Sequence, residues 1–479
     1  MPENDTLPDK IVEYLSDAFY GLLAAEGPKT LESFEDEALA LTHSLAARAY
    51  GMALERRDLE LRGALPEGSR AHDRRRRALA TRLGDVSFRA TRCVDRLGLP
   101  FCPLLDELDV PHGARVSPSA ASVLVELASD VSYARAGRML GRCGGSAVSA
   151  SAVMRLMRVA GGLCATEDAA LATSLYSDGV LPGGSQESPV LCMEADGTWF
   201  NLQGKDRESA TRCEVKAVVA YSGKGAAGSK VARVGCARHA CVAPPSRFAP
   251  EAVAAVGTAY DLSAVETVHV GCDGEAWCKD IGGWLPKGEA VAHLDPFHVN
   301  RALMSCCEDP KLGWQLVDAL WDGGKEAVAS MLEACAELGL SRPERSRQVA
   351  AYLRNNMALI DVEGPSLGTM ESENQHLYGV RMDSFPCAWS RRGASDMARI
   401  RSRTHSGRAV PRQTREGSMT AKRRRRRAER ELAALARLAP THVVKSEGRG
   451  WEPPRASVSA LAPEVLFAAN PDGGMVAAS

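Results

Sequence analysis

Apolar residues recur at three- and four-residue spacing in "IVEYLSDAFYGLLAAEG" and "EALALTHSLAARAYGMALERRDLELRGAL", which predicts helices for most of residues 1–80. The arginine-rich run "HDRRRRALATRLG" follows, and "DVSFRATRCVDRLGLPFC" then alternates like a short hairpin. "SPSAASVLVELASDVSYARAGRMLGRCGGSAVSASAVMRLMRVAGGLC" reads as three helices. Ser117 and Ser119 are candidate caps of the first, "GRCGG" breaks the second, and Ser149 can cap the third. Two short helices joined by a glycine-bearing turn, then a serine-capped helix, fit a helix-turn-helix over residues 127–161. An ordinary helical bundle is the alternative.

From Pro189 the period becomes strand-like. "VLCMEADGTWFNLQ", "EVKAVVAYSG" and "KVARVGCARHACVA" are three consecutive strand runs between polar turns. The helical "SRFAPEAVAAVGTAYDL" comes next, then a buried strand in "VETVHVGCDG", a helix in "EAWCKDIGGWLP" and a strand in "EAVAHLD". Three antiparallel strands, a helix, then parallel strands with helices between them is the order of an RNase H-like sheet. The expected class is therefore α/β. A catalytic core (186–300 and 361–403) would carry an all-helical insertion (301–360). Ahead of it lie a helical N-terminal region with a short hairpin (1–115) and the helix-turn-helix-like region (116–185). Residues 404–479, Arg-rich and then rich in Pro, Ala, Gly and Ser, read as a basic, mostly disordered tail.

Charge changes this picture more than composition does. Between Arg391 and Arg430 there are 15 Lys or Arg against 3 acids (Asp396, Glu416, Glu429), a local +12 that leaves −13 for the rest of a chain of net charge −1. A basic segment on an acidic chain points to a polyanion such as nucleic acid. The 14 cysteines include no C-x-x-C, and "CARHAC" (Cys236, His239, Cys241) lacks a second half with zinc-finger spacing, so reduced, buried thiols are the reading. No apolar run approaches the roughly 18 residues of a membrane span, and "MPENDTLPDK" lacks a signal-like apolar core. A cytoplasmic protein without a membrane partner is expected.

Three acids stand at element ends: Asp196 in "CMEADGTWF", Asp273 in "HVGCDGEAW" and Glu371 in "MESENQ". In the expected sheet the first and fourth strands are neighbours, so the two aspartates would emerge side by side, and a helix over that edge can add the glutamate. Three such carboxylates suit two Mg2+ (or Mn2+) ions about 3.5–4 Å apart, the arrangement for in-line displacement at a phosphodiester. Asp-Gly is equally a turn dipeptide, and Glu371 equally a first-turn glutamate behind a Thr369 cap. Glu194 shares a strand face with Asp196 and is its rival or its neighbour, whereas Glu373 would leave a helix on a different face from Glu371. In "AHLDPFHVNRAL", Asp295 and His298 are either accessory chemistry or a capped strand end, with Pro296 favouring an extended or turn conformation.

In that order, "EADGTWFNLQ", "EVKAVVAYSG", "CDGEAW", "LDPFHVNRAL", "MESENQHLYGVRM" and "AWSRRGASDMARIR" resemble the transposases of the ISLre insertion-sequence family, within the Mutator-like DDE group. "TRLGDVSFRATRCVDRLG", "PLLDELDVP" and "ASDVSYARAGRML" extend the resemblance to residues 80–403. Asp196, Asp273 and Glu371 then match the metal-binding triad, with Glu371-Ser372-Glu373-Asn374 as its Glu-x-x-Asn pattern. Asp295 and His298 match the Asp/Cys-x-x-His motif, an accessory to the triad in catalysis. The resemblance implies a transposase that cleaves element ends to leave 3′-hydroxyls and transfers them to target DNA with two Mg2+ or Mn2+ ions. Its partners would be double-stranded DNA and further copies of the chain, as a homodimer or larger assembly, at the nucleoid. Ser149, Ser151, Arg155 and Arg158 would read the ends, Arg391 and Arg392 would contact DNA near the active site, and Arg74–Arg77 and Lys422–Arg430 would bind phosphates. A nuclease without strand transfer and a catalytically inactive DNA-binding descendant are the alternatives.

Overall fold

The arginine run of residues 74–77 lies in a strand. β1 (Arg70–Thr81) pairs antiparallel with β2 (Gly84–Val94), and β3 (Pro100–Phe101) adds briefly to β2, so the hairpin begins well before the alternating stretch that suggested it. The helix Leu31–Gly63 covers the other edge of β2. Its Glu55 accepts from the Arg89 N–H at 2.8 Å, and its Asp58 accepts from the Thr91 N–H and hydroxyl, each at 2.7 Å. An edge strand is thereby closed by side chains rather than by another strand. Seen in a computed structural model, the described residues are 7–438 apart from 26, 28, 228–229, 362–363, 366 and 385–386. They belong to two units, Met1–Ala421 and Lys422–Ser479.

Three helices follow where the pattern puts them: Pro118–Asp130, Tyr133–Gly144 and Ala150–Ser177. Side chains of Ser117, Ser132 and Ser149 accept from the first-turn N–H groups of each, as N-caps do. The turn after the second helix is tight. A Cβ on Gly137 would stand 1.9 Å from the Val148 carbonyl, and Gly145 ends the helix in the left-handed region at φ 69°.

The central sheet has the order β10-β9-β4-β5-β8, with β4 (Val190–Asn201), β5 (Arg212–Tyr221), β8 (Ala237–Cys241), β9 (Thr267–Cys272) and β10 (Glu289–Leu294). β4, β5 and β8 run antiparallel, while β9 pairs parallel with both β4 and β10. The run expected as a third long strand is divided. β7 (Lys230–Val234) pairs with β6 (Gly223–Ala227) outside the sheet, and Gly235, at φ 70° with Tyr260 and Gln186 against it, turns the chain into β8. Period-2 alternation sends Val215, Ala217, Val219 and Tyr221 to a core shared with the helices of 118–177 and Arg391–Thr404. Val218 and Ala220 go to an opposite core under the helix Pro245–Val256. The chain is thus mixed α/β with helices on both faces of the sheet. The helical block starts at Pro296 rather than beyond residue 300 and carries its own core around Leu303, Leu316, Leu332 and Leu353.

Four of the 15 cations of the expected basic segment, Arg399, Arg401, Arg403 and Arg415, are buried. Arg399 donates to Asp168 and Glu251, each at 2.5 Å, and Arg403 to Asp168 and Glu167, each at 2.7 Å. Arg401 reaches Asp130 at 2.7 Å, and Arg415 pairs with Asp106 and donates to the Val110 carbonyl. These arginines are themselves buried and paired with carboxylates, so they are not part of a free polyanion surface, and residues around Arg415 are not a loose tail. The helix Ala421–Leu438 carries the pairs Arg425–Glu429 and Arg427–Glu431 at i,i+4 spacing. The rest of the expected disordered tail, 439–479, lies outside the described residues.

Arg399→Ala removes the cation that Asp168 and Glu251 share, leaving Asp168 to Arg403 and Glu251 to Arg247. It is expected to lower stability by about 2–3 kcal/mol, short of the cost of an unpaired buried charge, read by urea unfolding.

Candidate active site

The parallel strands bring three aspartates level. Glu194 on β4 pairs with Gly271 on β9, and two residues further along these neighbours stand Asp196 and Asp273. Leu294 on β10 pairs with Cys272, so Asp295 is level with Asp273 on the next strand. The carboxyl ends of parallel strands are where α/β sheets place their ligands.

Each aspartate is then fixed differently. Asp196 is buried, with one oxygen accepting from the Gly197 N–H at 2.7 Å and the other from Asn374 Nδ2 at 2.8 Å. Asp273 is half-buried and accepts from the Glu275 N–H at 2.8 Å, the Asp-Gly turn anticipated from the sequence, with Gly274 at φ 100°. Tyr352, from the helical block, donates to the Asp273 carbonyl at 2.8 Å. Asp295 is the N-cap of the helix Pro296–Met304 and accepts from the Phe297 N–H at 2.8 Å. Asp295 is extended, as expected before a proline, but Pro296 then opens a helix, because its missing N–H costs nothing in a first helical turn. That turn carries His298 towards the aspartates, with Nε2 3.9 Å from both Asp196 Oδ2 and Asp295 Oδ2.

Glu371 comes from the helical segment beginning at Met370. The expected Thr369 cap is replaced by a carboxylate from the sheet: Glu194 accepts from the N–H groups of Gly368, Thr369 and Met370 and from the Thr369 and Tyr221 hydroxyls, at 2.6–3.0 Å. Glu194 is thus a neighbour that builds the site, with no oxygen left over for a rival role. Glu373 leaves the helix on another side and is buried against Arg233 and Arg238. Glu371 and Asn374 share the remaining face, one helical turn apart, and Asn374 is the residue whose contact with Asp196 was not anticipated. The Glu-x-x-Asn spacing was its signal.

One donor atom each from Asp196, His298 and Glu371 lie within 4.8 Å of one another. Asp273 is outside that group but close enough to act on it. Burial, helped by the charges of Asp273 and Glu371, pushes the Asp196 carboxyl up to about 6 against the pull of His298 and the Gly197 N–H. Asp295 is also raised, chiefly by burial. Gathered carboxylates of this kind fit a divalent cation, as does the buried Oδ1 of Asn374, which has no hydrogen-bond partner among the described residues. His239, Cys241 and Glu251 form a second such group, without Cys236, but Arg399 and Arg247 already neutralise Glu251. A cation there would face a guanidinium.

The expected DNA contacts divide between two clefts. Ser149, Ser151, Arg155 and Arg158 are exposed on the first turns of Ala150–Ser177. Arg158 lines a cavity of about 340 Å³ with Arg381, Trp389 and Asp396, and Arg392 stands 3.7 Å from Asp396 at its margin. Arg155 instead lines a cavity of about 870 Å³ with Arg115, Arg408 and Arg412. Arg391 and Arg392 are not beside the carboxylates. Trp389 bonds to Asn201 at the end of β4, five residues past Asp196, or about 17 Å along a strand. Arg391 is further held by Asp206 through its N–H at 2.8 Å.

Because the folded Asp196 value lies above the ordinary 3.8, ionising it costs stability as pH rises from about 4 to about 6, and the whole cost is present at pH 7. Without divalent metal, Asp196→Asn should therefore unfold later than the wild type at pH 7, by roughly 1–3 kcal/mol, with the two converging at pH 4 in thermal melts.

A model of an uncharacterised protein family (UPF0236) matches residues 30–423. No curated protein matches the chain.

Proposed function

The chain belongs to that uncharacterised family, and from this premise we propose that it is a DDE-type DNA transposase that cleaves element ends and joins them to target DNA. The observation that carries the reading is the gathering of Asp196, Glu371 and His298, with Asp273 level with Asp196 on the neighbouring parallel strand. The mixed sheet order and the directions of its strands fit an RNase H-like core, and the helical block falls between the second aspartate and the glutamate. Three acids brought from positions 196, 273 and 371 to one sheet end are hard to explain as turns and caps alone.

Asp196, Glu371 and Asp273 would hold divalent ions, which supply activation of the attacking oxygen and stabilisation of the leaving one. Asn374 keeps the Asp196 carboxylate in one orientation, and Glu194 holds the helix that presents Glu371. Arg155 and Arg158 offer cations on an exposed helical turn to the phosphates of double-stranded DNA, as does Arg392 at the end of β4. Joining two ends calls for at least two copies of the chain.

Labelled DNA carrying the flanking element end, incubated with magnesium, tests the reading directly. Wild type is expected to leave 3′-hydroxyl ends and joined products, and Asp273→Asn to lower both by about a thousandfold or more. Cleavage without joining would assign a nuclease, and binding without cleavage in both proteins an inactive DNA-binding descendant.

Arg155→Ala and Arg158→Ala should each weaken DNA binding across sequences. Each is expected to reduce the slope of log affinity against log salt by about one, in titrations at several salt concentrations.

A further inference from the structure

We infer that His298 is itself a metal ligand, and that Asp196, Glu371 and His298 form a nitrogen-bearing site that prefers a transition-metal ion such as Mn2+ over Mg2+. The inference rests on reading the carboxylate cluster as a metal site, and not on transposition.

Geometry carries the assignment. His298 Nε2 lies 3.9 Å from Asp196 Oδ2 and 3.9 Å from Asp295 Oδ2. That is too long for a hydrogen bond. Two donors each about 2.0–2.2 Å from an ion between them stand up to about 4.4 Å apart, so this separation suits an intervening cation. Glu371 brings a third donor atom to the same place, within 4.8 Å of the other two. The ring is held in place from behind, since Asp295 caps its helix, Pro296 fixes the first turn, and Phe297 lies edge-on to it at 5.7 Å.

Asp273 is the residue that a three-carboxylate site would use instead. It stands outside the 4.8 Å group, and its Oδ1 is engaged by the Glu275 N–H. Asp273 and His298 line a cavity of about 270 Å³ together with Arg345, Gln348 and Tyr352. The structure therefore offers Asp273 to a second ion or to the substrate on the far side of the imidazole. The donor set has a chemical consequence. Mg2+ takes oxygen ligands in near-ideal octahedra, whereas imidazole nitrogen suits transition ions, and Mn2+ accepts both donor types.

Mn2+ titrated into the full-length protein and followed by electron paramagnetic resonance tests this, with spin-echo modulation reporting any directly bound 14N. Wild type should bind Mn2+ with imidazole 14N coupling and more tightly than Mg2+ in competition. His298→Gln should lose the coupling and at least about tenfold in Mn2+ affinity, while Asp273→Asn keeps the coupling. Wild-type Mn2+ without 14N coupling, coupling that survives in His298→Gln, or no Mn2+ bound at millimolar concentration would each overturn the inference. The wild-type spectrum decides even if a variant misfolds. Nitrogen-coupled Mn2+ in a protein that neither cuts nor joins DNA would keep this site and remove the transposase reading; cutting and joining with nitrogen-free Mn2+ would do the reverse.

Discussion

The carboxylate cluster depends on one buried charge, that of Glu194. Its two oxygens accept five hydrogen bonds, three of them from consecutive N–H groups at Gly368, Thr369 and Met370. A carboxylate in that position satisfies N–H groups that a helix start leaves open and meets the positive end of the helix dipole. It also ties a segment near residue 370 to the middle of β4. From this tie the rest follows by helical and strand periodicity. Asp196 lies two residues along the same strand face, Glu371 and Asn374 lie one turn apart on the docked helix, and Glu373 is carried round to Arg233 and Arg238. Gly368, at φ 93°, lets the chain pass close to Asp295 on its way in.

The sheet and its ends were legible because strands declare themselves locally. Period-2 alternation, the Asp-Gly dipeptides and the shared face of Glu194 and Asp196 all act over a few residues. The serine caps of the three helices before the sheet were legible for the same reason. What escaped the sequence was tertiary. "MESENQ" offered a Thr cap, and nothing near it signals that a glutamate about 175 positions earlier takes that role. "DPFH" suggested an extended or turn conformation at a strand end, which Asp295 does adopt, yet Pro is also the residue best suited to the first turn of the helix that follows. "KVARVGCARHAC" has the apolar content of one strand, and only the packing of Tyr260 and Gln186 against Gly235 divides it.

The arginine-rich segment shows how far charge counting reaches. Guanidinium groups at 399, 401 and 403 look like a stripe for phosphate, but helix Arg391–Thr404 is buried along most of its length. A planar donor fork suits enclosed carboxylates better than an ammonium does, which explains arginine at these positions. Asp168 alone is shared by Arg399 and Arg403. Arg392, on the exposed first turn of the same helix, differs from these three chiefly in where the helix leaves the core.

That ionic junction has a consequence for modularity. Asp168 belongs to the helix Ala150–Ser177 and Glu251 to the helix behind the sheet, while Arg399 arrives from more than 140 residues further along. A fragment ending before the last of these helices would strip Asp168 of both Arg399 and Arg403 and leave Glu251 only Arg247. The helices at 118–177 are therefore not a cassette that can be lifted out and grafted onto another core. Diversification of their exposed turns has to proceed residue by residue on a shared frame, so relatives that differ in what those turns grip should retain the same junction beneath them.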